Sequence, residues 1–167
     1  GGPPSCLLPC VDRPDAGRVL LDGEVGEGGG HVLRSALSLS LITGRPFQLS
    51  GLREHRDPPG LRPHHLAYVR GAEALSGGTS EGASVGSTEL RFTPGPVRAG
   101  DYLLEAGASG STPRLFQCLV YPLALAGGGR LTLRGATHMR AGPSFHALAG
   151  AWQSVARAYG LPVQLSL

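Results

Sequence analysis

Residues 19–44 read VLLDGEVGEGGGHVLRSALSLSLITG, and this stretch decides the fold. Val19-Leu20-Leu21 is a short apolar strand. The loop from Gly23 to Gly30 is rich in glycine. Apolar Val32, Leu33, Ala36, Leu37 and Leu41 then recur at a spacing that puts them on one side of a helix from His31 to Thr43. Gly44 stops that helix. Working outward, Phe47 to Leu52 reads as a second strand, followed by a polar loop from Arg53 to Gly60. Pro63 suits a first helical turn, and that helix runs to about Leu75 with Leu66, Val69 and Leu75 inward, ending at Gly77-Gly78. Leu90-Arg91-Phe92 closes a unit of strand, helix, strand, helix, strand.

The second half mirrors the first. Tyr102-Leu103-Leu104 is a strand and Gly107 to Ser111 a loop of small residues. A helix opens at Pro113 and runs to about Ala126, with a kink expected at Pro122. Leu131-Thr132-Leu133 is the next strand. Ser144 caps a helix with Phe145, Leu148, Trp152, Val155 and Tyr159 on one face, stopped by Gly160 and Pro162; Val163 to Leu167 is a final strand. Leu21, Gly44 and Gly77 fall on Leu104, Gly127 and Gly160 at an offset of 83. The expected class is therefore α/β, with tandem βαβαβ units of about 80 residues whose sheets pack against helices. A flexible tail at 1–17 precedes a first unit at 18–96 and a second at 97–167.

Composition narrows the chemistry. The 167 residues include 41% hydrophobic positions, 27 Gly and 14 Pro, with the glycines spread between apolar runs, so a globular fold is favoured over disorder. All 15 basic residues are arginine. Without lysine there is no Walker A loop, no Schiff base and no lysine adenylate. The net charge of +3 fits a nucleic-acid or nucleotide partner without demanding one. Cys6, Cys10 and Cys118 make a poor disulfide framework, which suits a reducing cytoplasm; the Cys6/Cys10 pair lacks the second pair of a zinc finger. The longest apolar run, Leu115 to Ala126, is too short for a bilayer, so no membrane partner is expected.

Glycines ahead of a helix start let backbone N–H groups approach an anion, and the helix dipole adds positive charge. Glu27 in that loop is either a solvated capping residue or the holder of a divalent metal on phosphate oxygens. Arg34, one turn into the helix, either reaches a phosphate over the loop or lies on the surface. The segment from Leu52 to Leu66 packs three Arg and three His into 15 residues. His64 and His65 are about 100° apart on a helix, which suits phosphate contact better than one shared metal; the other reading is a His cluster facing water.

The runs DGEVGEGGGHVLRSALSLSLITGRP, LREHRDPPGLRPHHL and EGASVGSTELRFTPG together resemble the RNA 3′-terminal phosphate cyclase family, from about Arg18 to the end of the chain. The resemblance implies a fold of side-by-side α/β units like enolpyruvyl transferase domains. It implies ATP-dependent conversion of an RNA 3′-phosphate end to a 2′,3′-cyclic phosphate through a histidine–AMP intermediate, with a divalent metal (Mg or Mn). It places Glu27 as metal ligand, Arg34, Arg53 and Gln117 at ATP, and Arg56, His64 and His65 at ATP phosphates or the RNA end. His31 and His64 stand where the family usually has Gln. The family's nucleophilic histidine belongs to a region expected beyond Leu167, so none of the six histidines here is given that role. A final strand with an open edge would then pair with the missing C-terminal half or with another chain. Two other readings are a non-catalytic cyclase-like RNA-binding or ribosome-assembly scaffold and an enolpyruvyl transferase relative, which the absence of lysine disfavours.

Overall fold

The computed structural model describes residues 17–24, 29–140 and 142–167. It is mixed α/β. Strand β1 (Val19–Asp22) leads through helix α1 (Gly30–Thr43) to β2 (Phe47–Ser50), and β1 and β2 pair in parallel. Helix α2 (Pro63–Ser76) follows, then β3 (Thr79–Glu81) and β4 (Leu90–Thr93), which run antiparallel to each other, with β4 antiparallel to β2. The sheet order is β1-β2-β4-β3. Strand β5 (Gly100–Glu105), helix α3 (Thr112–Leu125) and strand β6 (Gly129–Arg134) form a second parallel pair around a helix. The chain then forms α4 (Phe145–Ala147), a π-helical turn (Leu148–Trp152) and α5 (Gln153–Ala158).

The expected helices form for the expected reasons. In α1 the buried residues Leu33, Ala36, Leu37, Ser40 and Leu41 follow the helical period. Gly44 ends the helix at φ 70° with its N–H on the Ser40 carbonyl, and Gly77 ends α2 at φ 66° on the Glu73 carbonyl. On the sheet, Phe47 and Leu49 oppose Phe92 and Leu90 and turn toward the helices. On the other face Arg91 bonds Gln48 at 3.1 Å and meets Glu81 at 3.4 Å. That exposed pair contributes less than about 1 kcal/mol.

One continuous core joins the two halves: Leu33, Leu37, Leu66, Val69 and Ala72 pack in the same cluster as Leu115, Leu119 and Leu123 of α3. Gly71 lets α2 and α3 approach closely, because a Cβ there would lie 2.8 Å from Leu119 Cδ1. A smaller cluster of Phe116, Val120 and Leu148 lies beneath Trp152, Val163 and Leu165.

Three expectations are corrected. Strand β3 was not foreseen: Thr79-Ser80-Glu81 carries no apolar alternation, and the paired neighbour β4 makes it a strand. The face of the last helix also differs. The π turn inserts an extra residue into the helical period. Leu148 is buried as expected, but Val155 is 57% and Tyr159 89% exposed. Finally, Val163–Leu167 is not a strand. Its backbone bonds to α5 instead: Leu165 N–H donates to Gln153 Oε1 at 2.6 Å, and Val163 O accepts from Arg157 Nε at 3.0 Å. No helix among the described residues is long and apolar enough to cross a membrane.

Leu119 lies fully buried where α3 meets α1 and α2, so Leu119→Ala should destabilise the fold by about 2–5 kcal/mol in urea unfolding. Leu125→Ala, at a position 73% exposed, should change it by less than about 0.5 kcal/mol.

Candidate functional site

Both parallel strand pairs put helix starts at the carboxyl ends of their strands. Packing α3 onto α1 and α2 then brings three helix N-termini to one region. Gly29, Arg62 and Ser111 are their caps, and none of the three helices has an acidic residue in its first turn. Their positive ends are therefore not offset by a first-turn carboxylate. The starts of α1 and α2 nearly touch: a Cβ on Gly30 would lie 2.5 Å from His65 Nε2.

His65 is only 3% exposed. Its Nδ1 accepts the Arg62 backbone N–H at 3.0 Å, in the position a Glu or Gln takes in a capping box. That bond leaves the proton on Nε2, which points at the start of α1. Burial first, then His64, Arg53, Arg34 and Arg62, push its pKa down to about 3. The ring does not face water. His64 is half-buried, and burial followed by Arg53, Arg114, Arg62 and Arg34 lowers its pKa too. The two rings lie with centroids 4.1 Å apart.

Tyr68, one turn on, is 1% exposed and carries Arg34, whose Cζ sits 5.6 Å from the ring centroid. The Tyr68 hydroxyl is buried without a hydrogen bond of good geometry, and burial raises its pKa while nearby Arg34 and Arg114 oppose the rise. Where α3 packs on α1, the Cys118 thiol lies 3.6 Å from the Arg34 backbone carbonyl. The Cys118 thiol is buried and its pKa pushed up to about 12, so it is held as a neutral thiol.

Arg53 sits in the left-handed region at φ 57°. Its Nε donates to Gly60 O at 3.2 Å and its Nη2 reaches Pro58 O at 3.5 Å, which closes the loop on itself. Burial, then Arg56 and Arg62, lower its pKa. A non-glycine residue in this region carries backbone strain, and such strain clusters at functional sites.

The structure thus brings Arg34, Arg53, His64 and His65 together. Arg56 is exposed on the same loop, its N–H on the Arg53 carbonyl at 3.1 Å. Gln117 is exposed on α3, just after Arg114. Glu27 lies outside the described residues. Three members were missed in sequence: Arg62, Arg114 and Tyr68. Tyr68 falls one helical turn after His64, a usable signal. Arg114 joins only through the packing of α3, which no local pattern records.

Among the described residues, three acidic groups gather at another place. Asp22, Glu24 and Glu54 line an open cavity of about 400 Å³ at the ends of β1 and β2, where His55 pairs with Glu24 at 2.8 Å. That cavity would repel phosphate. The arginine cluster, with forked donors beside helix starts that lack first-turn acids, suits several phosphate oxygens at once. Among the described residues no group of three or more His, Cys, Asp or Glu is placed to hold a metal ion.

Comparisons with known proteins point to one family. A model of the RNA 3′-terminal phosphate cyclase family matches residues 25–167. A relative named RNA 3′-terminal phosphate cyclase from Salmonella typhimurium is 43% identical over 150 residues, 89% of this chain and 44% of that protein. One of the same name from Ralstonia nicotianae is 40% identical over 160 residues, 95% of this chain and 44% of its own length. Another, from Caldivirga maquilingensis, is 45% identical over 115 residues, 69% of this chain and 32% of its length. The chain spans less than half the length of these relatives.

The His65 geometry has a measurable consequence. Folding lowers its pKa from 6.5 to about 3, so the unfolded chain binds more protons between those values, and stability falls as pH drops through that window. From pH 7 to pH 5 the loss from this group should be up to about 2 kcal/mol in urea unfolding. His65→Gln keeps an acceptor for the Arg62 N–H without titrating, and should lose less over the same interval.

Proposed function

The chain belongs to the RNA 3′-terminal phosphate cyclase family, and from that premise we propose that it supplies the phosphate-gripping part of such an enzyme, binding ATP and the RNA 3′-phosphate end where α1, α2 and α3 begin. One observation carries the reading: Arg34, Arg53, Arg62 and Arg114 all act on half-buried His64 at three helix starts that lack first-turn acids. Folding brings like charges together only at a cost, and a polyanion is the ligand that offsets it.

In the proposed reaction ATP activates the 3′-phosphate through a histidine–AMP intermediate, and the vicinal 2′-hydroxyl then closes a 2′,3′-cyclic phosphate with release of AMP. None of this chain's histidines is assigned as the nucleophile. What this chain contributes is binding and orientation. Arg34, over the Tyr68 ring, offers its forked donors to phosphate oxygens, and Arg53 and Arg56 extend the grip from the loop. Neutral His65 directs an Nε2–H toward the glycine-rich loop, where it donates a hydrogen bond without adding charge. Gln117 is proposed at the nucleotide. Glu27 is proposed to hold a divalent metal, Mg or Mn, at the ATP phosphates. The proposed compartment is the cytoplasm.

The test is binding of a short fluorescent RNA carrying either a 3′-phosphate or a 3′-hydroxyl. The phosphate-ended RNA should bind more tightly, and binding should weaken as salt rises. Arg34→Ala should cost about 1–3 kcal/mol, the range for a lost charge-assisted hydrogen bond, and Arg34→Lys should not fully restore it because the fork is gone. Equal affinity for the two ends, with Arg34→Ala binding as well as the parent, would favour a general RNA-binding scaffold instead.

A further inference from the structure

The loop from β6 to α4 holds a second cluster that the proposed function leaves unused. Phe145 N–H donates to Thr137 O at 2.9 Å and closes the loop into a ring of backbone. This places His138 and His146 side by side, with His138 Nε2 2.8 Å from His146 Nδ1 and ring centroids 4.9 Å apart. Behind His138, its other ring nitrogen Nδ1 lies 2.9 Å from Thr137 Oγ1. Both imidazoles are exposed.

We propose that His138 and His146 form a two-histidine site for a late divalent transition metal such as Ni²⁺, Zn²⁺ or Cu²⁺, with Thr137 as the residue that orients His138. Three features of the geometry point there. Imidazole is a preferred ligand of these metals. Two ring nitrogens already face each other at 2.8 Å. At tetrahedral Zn–N bonds of about 2.0–2.1 Å the two nitrogens need to stand about 3.3 Å apart, so the rings open by about 0.5 Å, which exposed side chains on a closed loop can do. The third feature is the hydroxyl behind His138, because metal-binding histidines characteristically donate their other N–H to a fixed acceptor.

The protons balance without a further reagent. In the metal-free neutral pair one ring donates its N–H to the other's lone pair. On binding, the His138 proton resides on Nδ1 and donates to Thr137 Oγ1, while the His146 proton resides on Nε2 toward solvent. Both facing nitrogens then give their lone pairs to the metal. A protonated imidazole releases one proton to solvent as it binds. Among the described residues no third His, Cys, Asp or Glu joins the pair, so water completes the coordination. The site stands apart from the metal proposed at Glu27, which would serve ATP phosphates through oxygen ligands.

The experiment titrates the full chain with Ni²⁺ alone, without nucleotide, by calorimetry. The Cys6→Ser/Cys10→Ser variant is run alongside to remove tail thiols as ligands. The expected result is one Ni²⁺ per chain in both proteins, with affinity falling at least about tenfold in His138→Ala and in His146→Ala. Thr137→Val should weaken it by a smaller factor. Circular dichroism of each variant, matched to the parent, shows that the fold persists. Ni²⁺ affinity unchanged in both histidine variants, or abolished by Cys6→Ser/Cys10→Ser, would overturn the proposal.

Discussion

The packing of α3 against α1 and α2 is the contact on which the rest depends. Leu115 and Leu119 enter the core built by the first half of the chain, and Gly71 leaves them room. The consequence is electrostatic as much as hydrophobic. The same packing that buries these leucines brings Arg114 up to Arg34, Arg53 and Arg62, with His64 and Tyr68 between them. Burial of apolar surface thereby stabilises a concentration of positive charge that would otherwise disperse.

That arrangement divides labour among side chains that look alike in sequence. His64 and His65 are neighbours, yet one faces the arginines half-buried and the other is a neutral buried cap. Arg34 and Arg53 are both candidate phosphate ligands, yet one lies on an aromatic ring and the other is tied to its own loop through Gly60 and Pro58. The Tyr68 ring lies under the Arg34 guanidinium, which orients its donors before any ligand arrives. Preorganised donors lose less entropy on binding, which is where such a site gains affinity.

Much of the fold was legible because it rests on local chemistry. The periodic apolar face of α1, the left-handed glycines at 44 and 77, and Pro63 at the start of α2 each act within a few residues of themselves. Ser144 likewise caps α4 by accepting the Ala147 N–H. The misses share the opposite character. Strand β3 exists because β4 lies beside it. The π turn displaces Val155 and Tyr159 from the buried face through one extra residue in the helical period. Val163–Leu167 forms no strand because its backbone groups bond to Gln153 and Arg157. In the site, Arg34, Arg53, His64 and His65 were visible as bases near a glycine-rich loop, whereas Arg114 reaches them only across the core. The His138–His146 pairing was invisible too, because a separation of eight positions says nothing about loop closure.

The central claim is that three helix starts act as one phosphate site. Amide chemical shifts during titration with inorganic tripolyphosphate test it most directly, because they report on each helix start separately. The account predicts saturable shifts at the amides of Gly30–Val32, His64–Leu66 and Arg114–Leu115, all following one binding curve. Shifts confined to a single helix, scattered over the surface, or with separate midpoints for the three starts would contradict it.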